Sequence, residues 1–211
     1  MQSFKTEGII LKRRNIGEAD RVLTVFTPYR GKISVLAKGV RRITSRRAGN
    51  VELLNRVQIY LHQGKNFLIL TEAAALDTYQ RLKDDLKLST YAYHILELVD
   101  KLTAENQENK VLYSDLLEVL IRLSRNPRQL LIRAFETKLL SKLGFTSFIG
   151  EVRDIGEIRG LLQKLECSSW EEIVRIKISE KEAIELERIL RYHVERVIEG
   201  QLKSRQFLRK L

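Results

Sequence analysis

The sequence predicts an α+β protein, with a small five-stranded barrel in its first third and a mainly α-helical domain after it. Short β-branched and aromatic runs crowd the first 75 residues, and glycine-bearing turn signals separate them. From about residue 73 the apolar period changes to the 3–4 spacing of helices. The expected division is a barrel over residues 1–75 and a helical domain over 76–211.

The strand runs fall at residues 9–11, 21–27, 32–37, 57–61 and 67–70. Ile33, Val35 and Ala37 alternate with Lys32, Ser34 and Lys38, as Val57, Ile59 and Leu61 do with Arg56, Gln58 and His62. That is the period of a half-buried strand. Turn signals sit at Gly17, at Pro28 through Gly31 and at Gln63-Gly64. Five short strands in this length suit a closed barrel better than a sandwich. Phe26 and Phe67 are assigned to its core, and residues 39–52 to one long loop.

The helical half begins with Leu88, Ala92, Ile95, Val99 and Leu102 on one face, and Leu112, Leu116, Val119 and Leu123 repeat the pattern. A third helix is expected from Asn126 as N-cap and Pro127 at the first position, through Ile132, Phe135, Leu139 and Leu143, to a stop at Gly144. Residues 145–178 are the least regular, with a helix expected near 158–165 and a turn from Ser169. The last helix opens on Ser179 and Glu182, spaced as a capping box, and halts at Gly200. A basic tail follows, with Lys203, Arg205, Arg209 and Lys210.

The charge is uneven. The chain of 211 residues carries +11, with a pI near 9.8; residues 1–80 hold 14 basic and 6 acidic side chains. Residues 21–51 contain Arg21, Arg30, Lys32, Lys38, Arg41, Arg42, Arg46 and Arg47 and not one acid. A solvated surface mixes signs to limit self-repulsion, whereas a single-sign field suits a phosphate backbone. With 44% apolar and 31% charged residues the composition is globular. No run approaches the ~18 apolar residues of a membrane span, and the N-terminus lacks the apolar stretch of a secretory signal. A single cysteine, Cys167, suits a reducing compartment, so a cytoplasmic protein is expected.

Catalytic constellations are not found. Gly31-Lys32 and Gly64-Lys65 lack the spacing and hydroxyl of a P-loop, and no G-x-G-x-x-G follows a strand. His62, His94 and His193 are too scattered for a metal triad, and the last two lie on apolar helical faces as packing histidines. Asp84-Asp85 and Glu171-Glu172 are adjacent and diverge on a helix, and Cys167 lacks a neighbouring base. A binding protein is expected rather than an enzyme, with Lys38, Arg41, Arg42, Arg46 and Arg47 as phosphate contacts and Arg30 and Lys32 behind them. Tyr29 and Tyr60 are the candidates for base stacking. If about five phosphates of a single strand are neutralised, log K against log salt should slope at roughly −3.5.

Several motifs stand together in order: Glu7-Gly8-Ile9-Ile10-Leu11-Lys12, Gly17-Glu18-Ala19-Asp20-Arg21, Phe26-Thr27, Gly31-Lys32-Ile33 and Ala37-Lys38-Gly39-Val40-Arg41-Arg42. The helical half adds residues 96–103, 131–136, Leu143-Gly144-Phe145 and the ending Leu202-Lys203-Ser204-Arg205. Taken together the chain resembles the RecO family of bacterial DNA-repair recombination mediators. The resemblance implies an N-terminal OB-fold, binding of single- and double-stranded DNA, and annealing of complementary strands. It further implies work with RecR to load RecA onto DNA coated by single-stranded-DNA-binding protein, whose acidic tail the family contacts. Arg128, Arg133 and Lys138 near Phe135 are the candidate site for that tail.

The sequence departs from the family at its zinc module, which usually carries four cysteines after the Leu-Gly-Phe/Tyr motif. Between Gly144 and Ser179 there is Cys167 and no histidine, so no structural zinc and no other cofactor is expected. Residues 145–178 then stand in place of the module, packed by Ile155, Ile158, Leu161, Leu162, Leu165 and Trp170. Rival readings are an OB-fold RNA- or ribosome-binding factor, separated by DNA–RNA competition, and a helical adaptor whose basic loop serves only solubility.

Overall fold

The computed structural model describes residues 3–145, 156–200, 202 and 204. The chain forms two compact units: Met1–Gln80 with Thr103–Ser114, and Arg81–Leu102 with Asp115–Leu211.

In the first unit, β1 (Ser3–Ile16), β2 (Asp20–Thr27), β3 (Gly31–Ala37), β4 (Arg56–Gln63) and β5 (Leu68–Asp77) close into a barrel in the order β1-β2-β3-β5-β4. This is the five-stranded OB-fold. All pairings are antiparallel except β3 with β5. β1 is far longer than its apolar centre because it pairs with two strands to close the barrel: Ser3 to Ile9 pair with β4, and Ile9 to Ile16 pair with β2. β5 also extends beyond its apolar run, since Ala73, Ala74 and Ala75 pair with β4 despite weak strand propensity. Ile10, Leu23, Val25, Ile33, Val35, Val57, Ile59, Leu61 and Leu70 fill the core, and Val40 and Val51 of the long loop plug it. Phe26 is buried as expected, but Phe67 is 56% exposed. It sits in the β4–β5 turn closed by Gly64 N–H donating to its carbonyl at 3.0 Å, which carries the ring off the barrel tip.

β3 and β5 share only two residue pairs, Val35 with Leu68 and Leu36 with Ile69. The rest of that β3 edge is met by the segment after residue 102: Lys32 bridges Glu105, and Asn106 N–H donates to the Lys32 carbonyl at 2.9 Å. Gly31 has φ +58, and a Cβ there would lie 1.9 Å from the Gln107 carbonyl oxygen, so only glycine fits. Outward-facing Phe26 is covered by Tyr113, with ring centroids 6.1 Å apart.

The second unit is helical. Its elements are α1 (Gln80–Asp84, beginning at the unit boundary), α2 (Leu86–Leu102), α3 (Lys110–Arg125, crossing it), α4 (Gln129–Lys142), α5 (Gly156–Cys167), α6 (Trp170–Arg175) and α7 (Glu180–Ile198). α4 is central and buried on every side from Leu130 to Leu140. It starts later than its capping signals indicate. Asn126 N–H donates to the Arg122 carbonyl and so finishes α3, Pro127 lies outside either helix, and Arg128 is the N-cap without a side-chain cap bond. The Gly144 stop is observed: at φ +87, Gly144 and Phe145 donate to the Ser141 and Leu140 carbonyls in a Schellman arrangement.

Ser179 and Glu182 form the expected capping box, and Ser169 with Glu172 forms a second that opens α6. The left-handed residue ending α7 is Glu199, one before Gly200. Ile158, Leu161, Leu162, Leu165 and Trp170 are buried; Ile155 and the basic side chains of the tail lie outside the described residues. No helix among the described residues is long and apolar enough to cross a membrane.

Candidate nucleic-acid interface

Strand register decides which side chains share the outer surface of the barrel. Arg14, Val22, Leu36 and Ile69 form one row across β1, β2, β3 and β5, and Lys12, Thr24 and Ser34 form the next. Val22, Thr24, Ser34, Leu36 and Ile69 are half-exposed, giving a shallow floor of apolar and hydroxyl groups. Exposed Lys12 and Arg14 line its β1 edge, and the turn bearing Lys65 and Phe67 stands at its β5 edge. These three cations are not among the phosphate contacts expected from the sequence, and Phe67, expected in the core, is instead an exposed ring here. Lys12-Arg13-Arg14 was legible as a basic triplet, but it lies outside the acid-free run.

The long loop is fastened to the same end of the barrel. Gly39 N–H donates to Asp20 Oδ1 at 2.7 Å, Arg41 N–H to the Ala19 carbonyl at 2.9 Å, and the Arg41 guanidinium to the Gly17 carbonyl at 3.0 Å. Turns then run through Arg42, Ser45 and Ala48, and Leu54 N–H returns to the Ile10 carbonyl. Lys38, Arg41, Arg42 and Arg46 are exposed, and none forms an ion pair among the described residues. The structure therefore brings these four together as uncompensated positive charge beside the floor.

The other basic residues have different positions. Arg47 donates to the carbonyls of Leu70 at 2.7 Å, Lys38 at 2.8 Å and Thr71 at 3.3 Å, so its guanidinium is a strut between loop and β5 rather than a free phosphate contact. Arg21 and Arg13 both pair with Glu52, the acid that ends the acid-free run. Arg30 and Lys32 lie at the other end of β3, where Lys32 is buried and Arg30 stacks on Phe4. Six residue steps at about 3.3 Å separate the two ends of β3 by about 20 Å. Tyr29, 64% exposed, lies in the β2–β3 turn at this far end, whereas Tyr60, 39% exposed, is on β4 beside Thr71, which donates to the Tyr60 carbonyl at 3.1 Å and accepts from Arg47 of the loop.

In the second unit, Arg128, Arg133 and Lys138 do not form an exposed basic rim. Arg128 donates to the Val174 and Ile176 carbonyls, and Arg133 is buried against Glu136 at 2.8 Å and Glu187 at 3.2 Å. Lys138 donates to the carbonyls of Glu166 at 2.8 Å and Ser168 at 2.7 Å, and Phe135 is fully buried. Each cation is spent on a helix end or a carboxylate. Burial alone would raise the Glu136 carboxyl, but Arg133 and His94, the latter at 2.7 Å, outweigh it and hold the pKa down to about 2.

The residues present do not fit a zinc site. Cys167 is exposed, the Lys138 ammonium bonds the carbonyls on either side of it, and no group of three or more His, Cys, Asp or Glu among the described residues is placed to hold a metal. Packing here comes instead from Trp170, whose indole N–H donates to Asp115 at 2.9 Å, while Asp115 also pairs with Lys142.

Comparison with known proteins agrees with this architecture. The family model "Recombination protein O N terminal" matches residues 1–79, and "Recombination protein O C terminal" matches 83–146. The DNA repair protein RecO of Roseiflexus sp. is 39% identical over 156 residues, which are 74% of this chain and 55% of that protein. That of Acetivibrio thermocellus is 36% identical over 151 residues, 71% of this chain and 60% of that protein. Matched stretches thus span just over half the length of these relatives. The DNA repair protein RecO of Desulforamulus reducens is 28% identical in a match covering all of this chain and 96% of that protein. With an OB-fold barrel, a helical unit and consecutive matches to the N- and C-terminal models over residues 1–79 and 83–146, the chain belongs to the recombination protein O (RecO) family.

Proposed function

We propose that this chain is a DNA-repair and recombination mediator that binds single- and double-stranded DNA by its phosphates and anneals complementary strands. One observation carries the reading: Lys38, Arg41, Arg42 and Arg46 stand exposed beside an open barrel face, with no carboxylate paired to them among the described residues. Four cations on one fastened loop neutralise a run of phosphates, and arginine's planar fork grips a phosphate with two hydrogen bonds. The hydroxyl and apolar floor carries no donor–acceptor code, and Phe67 offers an exposed ring on which a base stacks. Bases held only by stacking stay free to pair, while the protein cancels the repulsion between two phosphate chains.

The chain acts by binding rather than catalysis. As in the family, it works with RecR and the acidic tail of single-stranded-DNA-binding protein to place RecA on coated single strands. Annealing of complementary oligonucleotides, followed at several salt concentrations, tests the core of this reading. Replacing Arg41, Arg42 and Arg46 by glutamine should slow annealing and weaken binding. Unchanged rates and affinities in the variant refute it.

A further inference from the structure

The cationic stretch of the long loop is a chain of tight turns. Arg42 N–H donates to the Gly39 carbonyl at 3.2 Å, Ser45 N–H to the Arg42 carbonyl at 2.9 Å and Ala48 N–H to the Ser45 carbonyl at 3.4 Å. The first corners of these turns are Val40, Ile43 and Arg46. Val40 is fully buried as a plug of the barrel, whereas Ile43 lies wholly in water. At 105% exposure it is the barest large apolar side chain among the described residues, ahead of Leu86 at 72%.

A single apolar residue on a surface is common and by itself signifies little. The setting of Ile43 is what distinguishes it. Its turn is pinned on both sides: Arg41 bonds the Gly17 and Ala19 carbonyls before it, and Arg47 bonds the Leu70 and Lys38 carbonyls after it. A β-branched side chain is stiff at χ1, so a pinned turn presents it with little freedom left to lose. Polar residues or proline suit an exposed turn corner, and isoleucine there removes no apolar surface from water on folding. Arg41, Arg42 and Arg46 flank it, exposed and with no carboxylate paired to them among the described residues. A stiff apolar tip between free cations matches the layout of duplex DNA, where charged phosphates border apolar base faces. Isoleucine is one of the side chains with which DNA-bending proteins part a base step.

We propose that Ile43 is a wedge: while Arg41, Arg42 and Arg46 hold phosphates of a duplex, its side chain enters between two adjacent base pairs, unstacks them and kinks the DNA. This rests on the reading of the loop cations as phosphate contacts, and adds to it an activity that charge neutralisation alone does not supply. It also gives the chain a sequence preference without any hydrogen bond to a base edge. TpA steps unstack most readily, so duplexes with such a step at the contact are bound in preference to stiffer ones.

The test uses the full chain at low salt and a duplex of about twenty base pairs with 2-aminopurine as the purine of a central TpA step. This base is dark when stacked and bright when unstacked. The wild type should brighten it, and energy transfer between dyes on the duplex ends should report a kink of about 20–90°. It should also bind this duplex roughly fivefold tighter than one with a central GpG step. I43S should lose the brightening, the kink and the preference. Its salt slope should stay at the wild-type value of about −3.6, from about −0.9 for each of four loop cations on a duplex, which shows that the loop is intact. I43L, which restores an apolar tip, should recover all three signals. Duplex binding by the wild type without brightening, or brightening retained in I43S, overturns the wedge and leaves the phosphate contacts standing. No duplex binding by the wild type overturns the phosphate reading itself, which is a distinct result.

Discussion

Replacing Arg42 and Arg46 by glutamine gives the sharpest measure of the interface. Both side chains are exposed and make no hydrogen bond or ion pair among the described residues, so their loss should leave the fold intact. With Lys38, Arg41, Arg42 and Arg46 each neutralising one phosphate of a single strand, log K against log salt should slope at about −2.8, from about −0.7 per contact. This is shallower than the −3.5 expected from sequence because Arg47 is bound to carbonyls. R42Q/R46Q keeps two contacts, and its slope should fall to about −1.4. Between 50 and 200 mM salt the wild type should then lose affinity about 50-fold and the variant about 7-fold, so the two lines converge. Fluorescence anisotropy with a labelled oligothymidine across that range measures both slopes. Parallel lines would refute the assignment of these arginines to phosphates.

Further expectations come from other parts of the molecule. R47A should leave the salt slope unchanged but lower stability by about 2 kcal/mol in urea unfolding, because it orphans the Leu70 and Lys38 carbonyls. F67A should cost about 1–3 kcal/mol of single-strand affinity in the same anisotropy assay, with little change in melting temperature, since the ring packs on solvent. Glu136 has its pKa held down to about 2, so its contribution is complete above the ordinary carboxylate range and is lost as pH falls from about 5 towards 2. E136Q should remove about 3 kcal/mol at neutral pH and flatten that acid limb in unfolding curves, since it leaves Arg133 buried with only Glu187. A chelator should leave the melting temperature unchanged, whereas K138M should lower it by leaving the Glu166 and Ser168 carbonyls unpaired.

The legibility of this chain follows from where local sequence agrees with tertiary context. β2, β3 and β4 carry β-branched residues at strand spacing and could be read directly. The ends of β1 could not, because Thr6-Glu7-Gly8 and Lys12 to Asn15 are polar and become strand only through their neighbours. β5 past Leu70 is alanine-rich for the same reason. Arg133 and Lys138 read as surface charges, since a sequence does not show that α4 is enclosed on all sides. At the interface, the missing acids exposed the loop cations, but a tied arginine and a free one look alike. Arg47 was separated from Arg46 only by three carbonyl oxygens. Phe67 was misplaced because a lone aromatic beside an apolar run resembles core until the turn geometry is known.

The bond between Asn106 and Lys32 has a bearing on how the protein is made. During synthesis all five barrel strands leave the ribosome before the piece of chain that seals the free flank of the third one. Until residue 107 has emerged, that flank presents unpaired N–H and C=O groups, the template on which β-proteins aggregate. A gene cut after codon 80 would fix the nascent protein at this open stage. Supplying residues 81–211 as a separate polypeptide should then restore solubility, because the missing stave of the barrel would return with it.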